Sequence, residues 1–184
     1  MTHRILLPLL LATLLLIVPA AASAASPCPG ADLIPSGENL DQVRAATLCL
    51  LNRERTSHHL QRLSESPQLR KSAQSFSRTM VSGRFFDHVS PGGSTLLSRV
   101  RRGTGYLQNV SAFALGENIA WGSGEYATAA ETMDSWMHSS GHRHNILNRR
   151  FCHVGIGIAL GAPVDGEGMP AATYTIDIGY RTPR

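Results

Sequence analysis

The sequence predicts an α+β domain in which helices pack on one β-sheet. Two observations predict it. Apolar residues recur at helical spacing through the first half of the chain, and at alternating spacing near its end. Helix-rich and strand-rich halves imply a sheet covered by helices, not a string of βαβ units.

The chain opens MTHRILLPLLLATLLLIVPAAASAAS. A short basic start precedes an apolar run from Ile5 to about Val18, and Ala22-Ser23-Ala24 fits a signal-peptidase site. Residues 1–24 are therefore expected to be a secretory signal peptide, not a membrane anchor, leaving a secreted or periplasmic protein. Nothing later is apolar for long enough to span a bilayer. Residues 25–39 are polar and proline-rich and read as an N-terminal arm. Residues 40–184 read as one domain, large enough for a real core.

Within it, Val43, Ala46, Leu50 and Leu51 predict a first helix from Asp41 to about Arg55, with Asn39 as its N-cap. The second helix starts at the cap Ser66 with Pro67 in its first turn. Its stripe is Leu69, Ala73, Phe76 and Met80, and Gly83 stops it. FFDHVSPGGS, residues 85–94, is turn chemistry, and a short third helix covers Thr95 to Arg102. GENIAWG follows as a strand ending at Gly122. Residues 125–138 return to helix, with Ala129, Met133, Trp136 and Met137 on one face. SSGHRHNILN, residues 139–148, reads as a turn with one helical turn at most. VGIGIAL (154–160) and ATYTIDIGY (172–180) alternate as strands of a hairpin.

The formal net charge is +4, and Lys71 is the only lysine. Arg99, Arg101 and Arg102 form the one basic cluster. It lacks interleaved aromatics and reads as a solvated helix face, so no nucleic-acid partner is expected. Export makes a disulfide permissible. Cys28 and Cys49 are expected to pair, closing a loop of about 20 residues worth on the order of 3 kcal/mol. Cys152 is then a buried, inert thiol.

GENIAWG poses the chemical question. On a strand, Glu117 shares a face with Leu115, Ile119 and Trp121. A bare carboxylate there would cost several kcal/mol or take up a proton, so it needs partners. The chain has eight histidines. His58, His59 and His138 sit on polar surfaces, whereas His88, His142, His144 and His153 flank apolar segments. His142 and His144 diverge if they lie on a helix, so that doublet alone is a weak metal signal. H-E-x-x-H, C-x-x-C, G-x-S-x-G and Walker motifs are all absent.

FFDHVSP, GENIAWG and WMHSSGHRHNIL, in that order, resemble the CAP superfamily of cysteine-rich secretory, antigen 5 and pathogenesis-related 1 proteins (the SCP domain), in its bacterial secreted members. LCLLNRERTSHHLQRL resembles its first helix, and VGIGIAL and TYTIDIGY its last strands. The likeness runs from about Leu40 to Tyr180. It implies a three-layer α-β-α sandwich with a central, mainly antiparallel sheet and a cleft into which histidines and acids point.

Carried over by motif, His88, Glu117 and His142 are the candidates for metal ligation or catalysis. Relatives often carry a second acid three residues after the tryptophan; here that position is Ser139. Asp87 is the nearest spare acid. Two imidazoles with open positions suit Zn²⁺ better than Mg²⁺, and Arg143 and Asn145 are expected to brace the loop. The resemblance implies a binding module for a lipid, sterol or cell-wall ligand, and the protein is expected to be a monomer. The alternatives are a metal-assisted hydrolase using the same cleft, or a structural or protein-interaction domain.

Overall fold

The computed structural model describes residues 28–165 and 168–184. The expected signal peptide, residues 1–24, lies outside the described residues, as does the start of the arm. Among those described, no helix is long and apolar enough to cross a membrane.

The elements run α1 (Leu40–Ser57), β1 (Ser64–Glu65), α2 (Pro67–Gly83), α3 (Leu96–Gly103), β2 (Val110–Ser123), a 3₁₀ turn (Gly124–Ala127), α4 (Ala129–His138), α5 (Ser140–Ile146), β3 (His153–Leu160) and β4 (Ala171–Pro183). The sheet order is β1-β3-β4-β2. β3 and β2 both pair antiparallel with β4, and only the two-residue β1 is parallel to its neighbour.

Side-chain alternation divides the sheet between two helical layers. One face carries Ile156, Ile158, Tyr174, Ile176 and Ile178. They form the main core with Val43, Leu50 and Leu51 of α1, Trp136 of α4 and Ile146 of α5. The other face carries Gly155, Gly157, Thr175, Asp177 and Glu117, and α2 lies on it. A Cβ on Gly155 or Gly157 would come within 2.0 or 2.3 Å of the α2 backbone, so these glycines let the helix rest directly on β3. Ser77 of α2 then bonds the sheet itself, reaching Thr175 Oγ1 on β4 at 2.8 Å and the Gly157 carbonyl on β3 at 3.1 Å. Two smaller apolar clusters complete this side, Leu69–Val100–Tyr106 and Phe76–Met80–Ile119. The result is a three-layer α-β-α sandwich.

Several boundaries differ from the sequence reading, each for a local reason. Asn39 stands at the α1 N-cap position but does not cap. Its amide holds the arm, accepting from the Ser36 N–H at 2.8 Å and donating to the Ile34 carbonyl at 2.9 Å. Ser66 caps α2 as expected, accepting from the Leu69 N–H. The helix includes Gly83 and ends on Arg84, in the left-handed region at φ 51°. The expected helix over 125–138 is split. Thr128 caps α4, and the 3₁₀ turn before it folds back so tightly that a Cβ on Gly122 would meet the Tyr126 carbonyl oxygen at 2.1 Å. The 139–148 segment holds the seven-residue helix α5.

Cys28 and Cys49 are disulfide-bonded and tie the arm to α1. Cys152 is free but only half-buried, and burial pushes its thiol pKa up, away from reactivity. Arg55 is fully buried and donates to four carbonyls, those of Gln61, Ile146, Asn148 and Phe151. It thereby fixes the segment that joins α5 to β3.

Candidate functional site

β2 is the last strand of the sheet, so its outer edge is open to elements arriving from both layers. The α2–α3 loop brings His88 from one side, and α5 brings His142 from the other. Glu117 lies between them on β2. Its side chain is 3 % exposed, as its place among Leu115, Ile119 and Trp121 requires.

The partners of Glu117 are two. His88 Nδ1 bonds Oε1 at 2.9 Å. The Arg99 guanidinium bonds Oε2. Arg99 also donates to the carbonyls of His88, at 3.2 Å, and Ser94, at 2.9 Å, and its Cζ lies 3.4 Å from the centroid of the Phe76 ring. The expectation of a solvated arginine face on α3 is therefore corrected at Arg99, whose side chain is 10 % exposed; Arg101 and Arg102 are exposed. A signal was present: Arg99 is three residues after Leu96, which packs against the Leu69–Val100–Tyr106 cluster.

α5 is fastened to β2 by amides. Asn145 Nδ2 donates to the Glu117 carbonyl at 3.1 Å and to Asn118 Oδ1 at 2.9 Å, and Asn118 Nδ2 donates to the His142 carbonyl at 3.1 Å. Gly116 makes room for this, since a Cβ there would sit 3.1 Å from Asn145 Oδ1. Trp136 Nε1 caps the Ile119 carbonyl on the same strand. Arg143 instead points to the end of α1, 3.2 Å from His58 Nε2.

The two imidazoles differ electrostatically. The hydrogen bond to Glu117 raises the His88 pKa, with Asp87 adding a smaller push. Burial, and then the charge of His88, lower that of His142. Of the three residues, His88 and Glu117 are joined by a hydrogen bond, and His142 reaches the same strand through its carbonyl, which accepts from Asn118. His142 Nδ1 is buried and has no hydrogen-bond partner. Among the described residues, no three His, Cys, Asp or Glu side chains form a group able to hold a metal ion. Both Glu117 oxygens are already engaged, one by His88 and one by Arg99. Asp87 faces away, exposed, and accepts from the Val89 N–H. Ser139 closes α4 and opens α5.

A second acid is nevertheless present. Asp177 on β4 stands opposite Glu117 and is completely buried. Ser72 of α2 and Glu117 face it closely enough to perturb its proton, yet neither closes a hydrogen bond onto its oxygens. Burial, reinforced by the charge of Glu117, raises its pKa well above the usual carboxylate range. Burial and the neighbouring Glu117 thus favour the protonated form of Asp177. Sequence reasoning missed it because Thr173, Thr175 and Asp177 alternate like a solvent-facing strand.

A family model described as the cysteine-rich secretory protein family, CAP, matches residues 48–173. The Bacillus subtilis protein YkwD is 37 % identical over 108 residues, covering 59 % of this chain and 39 % of that protein. The membrane protein YlbC of the same organism is 31 % identical over 111 residues, covering 60 % and 30 %. The chain thus spans well under half the length of either relative. Among solved structures, an extracellular protein containing an SCP domain from Bacillus anthracis matches with a TM-score of 0.55 and 29 % identity, over 77 % of this chain and 40 % of that one. An outer surface protein from Borrelia burgdorferi matches with a TM-score of 0.60 over 81 % and 97 %, and at 17 % identity that likeness speaks to fold alone.

Proposed function

Because the chain belongs to the CAP family of cysteine-rich secretory proteins, we propose that it is an exported binding domain whose His88 and His142 imidazoles hold a divalent transition metal ion, zinc before magnesium. One observation carries this reading: Glu117 fixes His88 through Nδ1, while His142 Nδ1 is buried without a partner. A carboxylate on Nδ1 leaves Nε2 of His88 with a free lone pair on a half-exposed ring. Carboxylates that hold a ligating histidine in this way also raise its basicity. Glu117 orients the ligand and does not supply one.

Two imidazoles leave coordination positions to water or to an incoming ligand's oxygen, and the bound ion would act there as a Lewis acid. Such a site does not hold the fold together, since structural zinc sites close with four protein ligands. A separate groove between α1 and α4, about 310 Å³, has Leu50, Met133 and Met137 among its lining residues together with the charged Arg53, Glu54, Glu131 and Asp134. The signal-like leader and the Cys28–Cys49 disulfide support an extracytoplasmic place of action.

Calorimetric titration with Zn²⁺ tests the metal site. Binding is expected above neutral pH, weakening as the imidazoles protonate. Because the His88 pKa is raised, the weakening begins above the ordinary histidine value. The His88→Ala/His142→Ala double variant is expected to stay folded and lose binding. No heat from the native protein above neutral pH, or equal affinity in the double variant, would leave the histidines as hydrogen-bonding groups only.

A further inference from the structure

α2 and α3 enclose a pocket of about 240 Å³ that the His88–Glu117–His142 site does not use. Its walls carry three cations, Lys71, Arg99 and Arg102, and five hydroxyl groups, among them those of Ser72, Ser75 and Ser98. No carboxylate lines it. Among the described residues, neither Lys71 nor Arg102 has an acidic group within 4.0 Å.

Two lining groups are buried and leave a polar atom without a partner. Ser72 is 4 % exposed, and its Oγ makes no hydrogen bond. Arg99 spends its terminal nitrogens on Glu117 and two carbonyls, while its buried Nε is unpaired. A buried polar group left unpaired costs about 1–3 kcal/mol. The Arg99 side chain forms part of the wall of this small cationic pocket, and Ser72 lies in the same wall with the Asp177 carboxyl behind it.

We propose that this pocket binds a phosphoryl oxyanion, either free phosphate or the phosphate ester of a small polyol or lipid headgroup. Lys71 and Arg102 stand exposed at its mouth and Ser72 and Arg99 lie buried at its floor. The chemistry selects the class. The three cations match an oxyanion and repel a metal ion, while the Ser98 and Thr104 hydroxyls already donate to the Thr95 and Val100 carbonyls. Asp177 lies beside Ser72, and burial raises its pKa, which favours the form that does not oppose an anion. The volume admits a phosphate on a three-carbon unit and is below the range of about 300–1,000 Å³ that larger ligands need. The proposal is independent of the metal reading.

Three probes test it on the mature protein: inorganic phosphate, glycerol 3-phosphate, and phosphatidylglycerol vesicles against phosphatidylcholine controls. Calorimetry and amide chemical shifts are expected to show saturable binding of at least one probe. Shifts should be confined to α2, α3 and the turns beside them, and binding should weaken with salt. Lys71→Met with Arg102→Met, both at exposed positions, is expected to cost about tenfold or more in affinity while leaving Zn²⁺ binding unchanged. Vesicle binding lost in that variant assigns a lipid headgroup; binding of the soluble probes alone assigns a free anion or ester. No saturable binding of any probe, or unchanged affinity in the double variant, overturns the proposal.

Discussion

Glu117 and Asp177 stand directly opposite each other on neighbouring antiparallel strands, on the sheet face that α2 covers. Two carboxyl groups so placed cannot both be ionised cheaply. Glu117 has the cation Arg99 and the imidazole of His88, and Asp177 has neither. Burial without such partners therefore favours the proton on Asp177. One strand pair thus presents an acid with two basic partners at the cleft and an acid without them in the core behind it.

The proton on Asp177 gives the first prediction. Its folded pKa is raised above the unfolded value near 3.9. Between those two values the native state binds more protons than the unfolded chain, so stability falls as pH rises. One such group gives at most about 1.4 kcal/mol per pH unit. Asp177→Asn keeps the shape and removes the titration. Its stability relative to the native protein is expected to improve steadily from pH 4 upward (about one unfolded pKa). Urea denaturation of both proteins across pH measures it; a constant difference would place the charge on Asp177 in the folded state as well.

The two histidines give the second prediction, because they shift in opposite senses. The His88 pKa is raised by its bond to Glu117. Its contribution is fully present below the unfolded value near 6.5 and is lost as pH rises through the folded value. The His142 pKa is lowered by burial. Its contribution is present above the unfolded value and is lost as pH falls through the folded one. Imidazole ¹H–¹³C spectra in a metal-free titration should show His88 deprotonating at higher pH than His142. Glu117→Gln is expected to bring His88 down and to move His142 less. Identical midpoints in the native protein would contradict the arrangement.

What was legible in the sequence was local. Ser66-Pro67 announced α2 because a cap and a first-turn proline act within one turn of helix. Glu117 declared its need for a partner because alternation placed it among large apolar side chains. The hairpin of β3 and β4 followed from strand alternation in both segments. Asp177 was hidden by the same local rules: it looks solvent-facing on its own strand, and only the docking of α2 onto the sheet buries it. Arg99 showed no more than its spacing from Leu96 until α3 docked. α5 was underestimated because its helix is held by tertiary amides, Asn145 to Glu117 and Asn118 to His142, more than by its own sequence.

That docking supplies the last prediction. Gly157 lies where α2 rests on β3, and an added methyl would meet the Ala73 carbonyl carbon and the Gln74 nitrogen at 2.3 Å. Those are backbone atoms of a helix, so no side-chain rotation relieves the clash; the whole helix must move away. Overpacking of this kind costs typically about 1–3 kcal/mol, occasionally more. Gly157→Ala is expected to lose about 3 kcal/mol, at the upper end of that range. Gly37→Ala, with nothing within 4 Å of the new methyl, serves as the control and should stay within about 0.5 kcal/mol of the native protein. The consequence reaches the site, because α2 carries Ser72 and Phe76 and leads into the loop that holds His88. A shift of α2 moves Phe76 from beneath Arg99 and loosens the Arg99–Glu117–His88 chain. In Gly157→Ala the His88 pKa should therefore fall back toward its ordinary value, whereas in Gly37→Ala it should not change. Chemical denaturation and the imidazole titration read the two effects. A stable Gly157→Ala protein with a native His88 midpoint would show that the contact between α2 and β3 does not set the site.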